Sequence, residues 1–355
     1  MNLQRIHKVR DIMKQASLDA LLFLHPANMR YLSGFTGTDG AYLVTLESTV
    51  FLTDSRYVEQ ARRQVFADDI RLYTNKIHGI CELLKPLKIT AVGFEAETLS
   101  YSSVANFRKE DEDISWIPLE EDLSPLRAVK DQGEISDIER ATAIAEESFE
   151  TLLGYIKPGM TEADVALELE YLLRKNGGEE KAFDFIVASG HRGALPHGVA
   201  SSKVIALGEM VTVDFGTVVN GYHSDETVTF ATGLVSDELK RIFDIVYEAH
   251  QRAVEHLAPG VDLIEVDRRS RDYIASKGYK DYFGHGLGHA VGLEVHEYPA
   301  LSPRSKAVGQ EGMVLTIEPG IYLPGVGGVR IEDMYVITEN GNRKLTRIPK
   351  EFRTI

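Results

Sequence analysis

Apolar and polar positions follow two alternating periods in the first third of the chain. Short β-type runs at residues 19–24, 41–46, 49–54, 70–73 and 91–94 are interleaved with helical stretches at 3–17 and 55–66, which predicts a small α/β unit over residues 1–123. The acidic, proline-containing stretch from Glu120 to Pro125 breaks the pattern. Residues 124–130 therefore read as a linker into a long helical pattern over 131–156. A second domain is expected over 131–355, making an α+β chain of two units, as a length of 355 residues favours.

The second region resembles itself at an offset of about a hundred residues. A helix stops at Pro158-Gly159 and again at Pro259-Gly260, and each time a new helix is expected from an N-cap residue, Thr161 or Asp262. An acid stands three residues beyond each, Asp164 and Glu265, the spacing of a capping box. These second helices end near Gly177 and Gly278. Downstream, the segment with Asp214 and Gly216 parallels the one with Glu318 and Gly320, and the segment with Asp225 and Glu226 parallels the one with Glu332 and Asp333. Both copies read helix, helix, strand, strand, with an acid on each strand. A pseudo-twofold would set four acids around one centre.

Asn220-Gly221 is a strong hairpin signal, because a type I′ turn needs positive φ at both positions. Val219 should then face Tyr222, and counting back sets Gly216 opposite Asp225. Side chains alternate along a strand, so Asp214 and Asp225 become diagonal neighbours on one face. Val211, Val213 and Phe215 make the hairpin at least half buried. Buried anions side by side repel and lose hydration, which requires compensating cations or protonation. Asp214, Asp225, Glu318 and Glu332 sum to a formal −4, which two divalent ions would balance.

Carboxylate oxygens with one imidazole suit manganese, cobalt, iron(II) or zinc better than copper(I). The imidazole is expected from the run that holds His285, His289 and His296, three of the eleven histidines within twelve residues. This run is neither the helical zinc-protease motif nor a dinucleotide-binding glycine pattern. Cys81 is the only cysteine, so a cysteine metal cluster and an intramolecular disulfide are excluded. A net charge of −15 without a basic block argues against nucleic acid. No stretch is long and apolar enough for a membrane span, and no export signal is visible, so a cytoplasmic location is expected.

Taken together, Pro196-His197-Gly198, Val213-Asp214-Phe215-Gly216, Ser224-Asp225-x-Thr227, the His285-to-His296 run, Glu318-Pro319-Gly320 and Arg330-Ile331-Glu332-Asp333 resemble the metal-dependent Xaa-Pro peptidases, prolidase and aminopeptidase P, of the pita-bread fold. The likeness covers the second domain. The stretch from Asn28 to Gly37 and the stretch from Thr53 to Tyr57 extend it to a creatinase-like N-terminal domain. The resemblance implies that Asp225 and Glu332 bridge two metals, manganese ahead of cobalt, zinc or iron, that Asp214 binds one, and that His289 and Glu318 bind the other. It implies that His197 and His296 contact substrate around the scissile bond, that His285 lines the proline side, and that Arg330 supports the cluster and borders the substrate. A metal-bridging hydroxide would be the nucleophile, with Glu318 carrying its proton to the leaving nitrogen. Proline-containing di- or oligopeptides are the implied substrates and a homodimer the implied assembly.

Two residues depart from the family pattern: Val228 stands where an arginine is common, and His223 is unexpected. Methionine aminopeptidase shares this type of site, but its simplest forms lack a domain like residues 1–123. A non-catalytic binding protein on this fold would be expected to have lost ligands, and none is missing here.

Overall fold

Five strands of the N-terminal unit lie where the short apolar runs are. The computed structural model describes residues 2–119 and 123–355, so Glu120, Glu121 and Asp122, at the start of the acidic stretch before the expected linker, lie outside the described residues. β1 (Ala20–Phe23), β2 (Ala41–Thr45), β3 (Thr49–Thr53), β4 (Asp69–Leu72), β5 (Ala91–Glu95) and β6 (Ser115–Leu119) form one mixed sheet in the order β4-β3-β2-β1-β5-β6. β2 and β3 are buried throughout, and one apolar cluster joins Leu22, Leu43 and Val92 to helix residues Ile80, Leu84 and Phe107. Four elements of this unit were not read from the pattern: β6 and the helices Pro26–Ser33, Lys76–Leu84 and Tyr101–Glu110.

The first unit closes at Leu126 and the second begins at Arg127. Residues 127–130, read above as the end of a linker, are integral to the second unit. Val129 pairs with Met313, and the buried Arg127 and Lys130 both reach Glu297. The reason is charge: Glu297 is buried and needs cations from a distant segment.

The internal repeat is visible element by element. Helix Gln132–Leu153, the Gly159 turn and helix Glu162–Lys175 precede β7 (Ile186–Ser189), β8 (Met210–Phe215), β9 (Val218–Val219), β10 (Tyr222–His223) and β11 (Glu226–Ala231). Helix Asp237–Val254, the Gly260 turn and helix Leu263–Ser276 precede β12 (Gly288–Ala290), β13 (Glu297–Leu301), β14 (Val314–Ile317), β15 (Gly320–Leu323), β16 (Gly327–Arg330), β17 (Asp333–Thr338) and β18 (Gly341–Lys344). The first copy makes a sheet β11-β8-β7 and the ribbon β10-β9; the second makes a sheet β13-β12-β14-β17-β18 and the ribbon β15-β16. Each copy has an apolar core of its own, one around Phe149, Leu169, Val213 and Phe230, the other around Ile242, Val246, Val266 and Leu315.

The two capping expectations fare differently. Thr161 accepts from Asp164 N and the Asp164 carboxylate returns to Thr161 N, a complete capping box. Asp262 makes no side-chain cap. Leu263 N is satisfied by Ala307 O, as Glu162 N is by Lys203 O in the first copy, but Glu265 turns outward to Arg268. The N3 donor that a cap side chain would bind, Glu265 N, bonds to the backbone O of Asp262 instead, and with the Glu265 carboxylate on Arg268 neither half of the box forms.

Candidate metal centre

The Asn220-Gly221 turn has positive φ at both residues, 47° and 70°, as a type I′ turn demands. Tyr222 pairs with Val219, Glu226 with Phe215 and Thr227 with Asp214, one unbroken register in which Asp225 falls opposite Gly216. In the second copy, Ile317 pairs with Asp333 and Gly320 with Arg330. Continuing that register sets Glu318 directly opposite Glu332, whereas Asp214 and Asp225 are diagonal. The two hairpins therefore differ by an even number of residues, which leaves every acid on the same face.

All nine residues singled out in the sequence line one cavity of about 450 Å³: Asp214, Asp225, Glu318, Glu332, His289, His197, His285, His296 and Arg330. Ligand atoms of Asp225, His289 and Glu332 lie within 4.8 Å of one another. His289 Nε2 is 3.5 Å from Asp225 Oδ2 and 3.6 Å from Glu318 Oε1. Its Nδ1 faces Ala290 O at 3.1 Å, so Nδ1 carries the proton and Nε2 offers its lone pair to the acids. A bulge between His289 and Ala290 on the β12–β13 edge marks this position.

Burial dominates the electrostatics. It pushes the Asp225 and Glu318 carboxyls well above the usual range and Glu332 up to about 8, with repulsion from the neighbouring acids adding to it. Burial likewise holds His289 down to about 3, so its imidazole is neutral. Asp214 Oδ1 is buried without a hydrogen-bond partner, while its Oδ2 accepts from Arg330 at 2.6 Å. Mutually repelling carboxylates, an orphaned buried oxygen and a neutral imidazole form a donor set that fits divalent cations.

Arg330 is almost wholly engaged within the protein. Besides Asp214 it donates to Thr227 Oγ1, Pro196 O and Tyr322 OH. His285 has both ring nitrogens occupied, by Gly286 O at 2.7 Å and Tyr322 OH at 2.8 Å. His296 lies edge-on to His289 with ring centroids 4.4 Å apart, and His197 is exposed at the cavity mouth. The two departures from the family pattern leave the acids alone. Val228 packs into the first apolar core, and His223 donates its N–H to Gly292 O in the histidine run.

Sequence reasoning missed several residues of this site. Tyr322 joins His285 to Arg330. It could have been found by counting the β15–β16 ribbon, where Gly320 faces Arg330 and Tyr322 shares their face. A Cβ on Gly320 would lie 2.5 Å from the Tyr322 hydroxyl, so only glycine lets the ring lie across the strand. Thr227 Oγ1 donates to Glu332 at 2.7 Å. Each histidine-bearing loop is also tied to a buried carboxylate. Glu162 accepts from Ser189, Arg192 and Ser201 around the His197 loop. Asp267 holds Arg271, which donates to His285 O. Glu297 holds the end of the run through Arg127 and Lys130. These anchors come from distant segments and leave no local pattern.

Residues 136–339 match metallopeptidase family M24, and residues 5–129 match the Creatinase/Prolidase N-terminal domain. The chain is 41% identical over 351 residues to the Xaa-Pro dipeptidase of Pyrococcus furiosus, covering 98% of this chain and 99% of that one. Among solved structures, the Xaa-Pro dipeptidase from Bacillus anthracis superposes with a TM-score of 0.98 at 44% identity, covering all of both chains. The X-Pro aminopeptidase from Thermotoga maritima does so with a TM-score of 0.89 at 39% identity, over 96% of this chain and 98% of that one. Among the described residues no helix is long and apolar enough to cross a membrane.

Proposed function

The chain belongs to metallopeptidase family M24 and carries a Creatinase/Prolidase N-terminal domain, and from that premise we propose that it hydrolyses the peptide bond preceding proline, with Xaa-Pro dipeptides as its first substrates. The observation that carries this reading is the gathering of Asp225, His289 and Glu332 in a cavity shared with Asp214 and Glu318. In this reading two divalent ions would be held by these five residues, Asp225 and Glu332 shared between them, Asp214 serving one, and His289 with Glu318 the other. Manganese is the first choice, ahead of cobalt, zinc or iron. Two ions so held supply Lewis acidity toward the scissile carbonyl and a water acidic enough to attack at neutral pH.

The protein's own groups bind and move protons. Glu318, which faces the cavity, takes up a proton and hands it to the leaving nitrogen. His197 and His296 hold the substrate on either side of the scissile bond. His285, whose nitrogens are both engaged, presents ring carbons to the apolar proline ring. Arg330 keeps Asp214 in place rather than binding substrate, because its donors are committed inside the protein. The dipeptidase and aminopeptidase names of full-length relatives support the substrate class.

The test is hydrolysis of Ala-Pro and of a longer Xaa-Pro-Xaa peptide, with manganese or cobalt and with chelator. Cleavage confined to the dipeptide makes the chain a dipeptidase; release of the first residue from the longer peptide makes it an aminopeptidase. If both peptides stay intact while metal is bound, the proposal fails. In the same assay His296→Ala should lower kcat roughly a hundredfold with metal content unchanged. Loss of metal in that variant would instead make His296 a ligand.

A further inference from the structure

Each of the acids Asp225 and Glu332 is followed by a second acid, Glu226 and Asp333, at equivalent places in the two repeats. Adjacent strand residues face opposite ways, so the first of each pair looks into the cavity and the second into the protein behind it. Glu226 and Asp333 are 1% and 0% exposed. Here the protein supplies the counter-charge. The Lys350 ammonium, on a side chain 3% exposed, donates to Glu226 Oε1 and lies 3.5 Å from Asp333 Oδ1. Asp333 also accepts from Thr346 Oγ1 at 2.6 Å and pairs with Lys344 at 2.8 Å. His250, 3.3 Å from Asp333, is held near 4 by burial and adds no charge.

Lys350 does not hang on a loose tail. On one side of it Ile348 N donates to Glu146 at 3.0 Å; on the other Arg353 O accepts from Ala231 N and Ile355 N donates to Ala231 O. One cation thus ties the strand that follows Asp225 to the strand that follows Glu332.

We propose that Lys350 is a positioning residue for the metal centre: by joining Glu226 to Asp333 it sets the separation of Asp225 and Glu332 across the pseudo-twofold. The inference rests on the two-ion reading above. Its test is a titration of the metal-free protein with Mn²⁺, followed by electron paramagnetic resonance, on wild type, Lys350→Met and Glu226→Met. The second variant leaves Lys350 paired with Asp333, so the buried charge stays balanced while the tie between the strands is cut.

Wild type should take up two ions with the spectrum of an exchange-coupled pair. Both variants should bind at least one ion roughly 10- to 100-fold more weakly and show the signal of isolated Mn²⁺. Wild-type affinity and coupling in a folded variant overturns the proposal. If Lys350→Met does not fold, Glu226→Met decides by the same criterion. Should wild type bind one ion instead of two, the two-ion reading falls, and Lys350 is judged on the affinity of that one ion. Should it bind none, both fall.

Discussion

Asp225→Asn is expected to lose roughly a thousandfold or more in kcat/KM on an Xaa-Pro dipeptide and yet to melt higher than wild type when both are metal-free. The residue is 4% exposed and faces Glu332, Asp214 and Glu318, whose charges oppose its own ionisation. A carboxamide has the same shape but cannot bridge two cations as an anion does. The lost rate corresponds to about 4 kcal/mol of transition-state stabilisation. Without metal, the same change removes a member of a repelling buried cluster, and so relieves a cost the native residue imposes. Peptide hydrolysis and thermal melts in chelator check the two halves separately. Full activity would remove Asp225 from the bridge, and a lower metal-free melting temperature would mean that the acids do not strain the apo fold.

Metal removal should have the second largest effect and should make the protein's stability fall as pH rises. Glu332 titrates near 8 in the folded metal-free protein, against an ordinary glutamate value of 4.5. The stability contributed by the protonated form is therefore complete below about 4.5 and is lost as pH rises through about 8. Asp225 and Glu318 are shifted in the same direction. The chelated protein should accordingly melt progressively lower from pH 5 to pH 8. With saturating manganese the trend should flatten or reverse, because cation uptake displaces protons and strengthens as they leave. At a hundred times the dissociation constant, bound metal adds about 2.7 kcal/mol, or roughly 5–10 °C for a unit of this size. Melting curves over that pH range, with and without metal, test this; a chelated protein equally stable at pH 5 and pH 8 would contradict it.

Much of the site was legible because it is built from hairpins. The type I′ turn at Asn220-Gly221 and strict alternation along β8 and β11 carried the register from Val219 to Asp225 without error. The second hairpin was located by its likeness to the first, but its register was not. Its connection from Leu323 to Gly327 has no two-residue turn from which to count, so the direct opposition of Glu318 and Glu332 emerged only in three dimensions. The capping box at Thr161 was readable in the same local way. Its counterpart at Asp262 does not form, since Glu265 N bonds to the Asp262 backbone O and the Glu265 carboxylate goes to Arg268.

Alternation, turn chemistry and the repeat are properties of a few consecutive residues, and they sufficed to say that this chain carries four acids on paired hairpins and needs cations to keep them together. Which of three imidazoles turns its lone pair toward those acids depended on a bulge and on the Ala290 carbonyl beside His289. Which cations steady the acids from behind depended on Arg330 reaching back to Asp214 and on Lys350 folding over Glu226. Those partners stand more than a hundred residues from the groups they hold, and a charge buried by one segment of the chain has to be answered by whichever segment folding brings beside it.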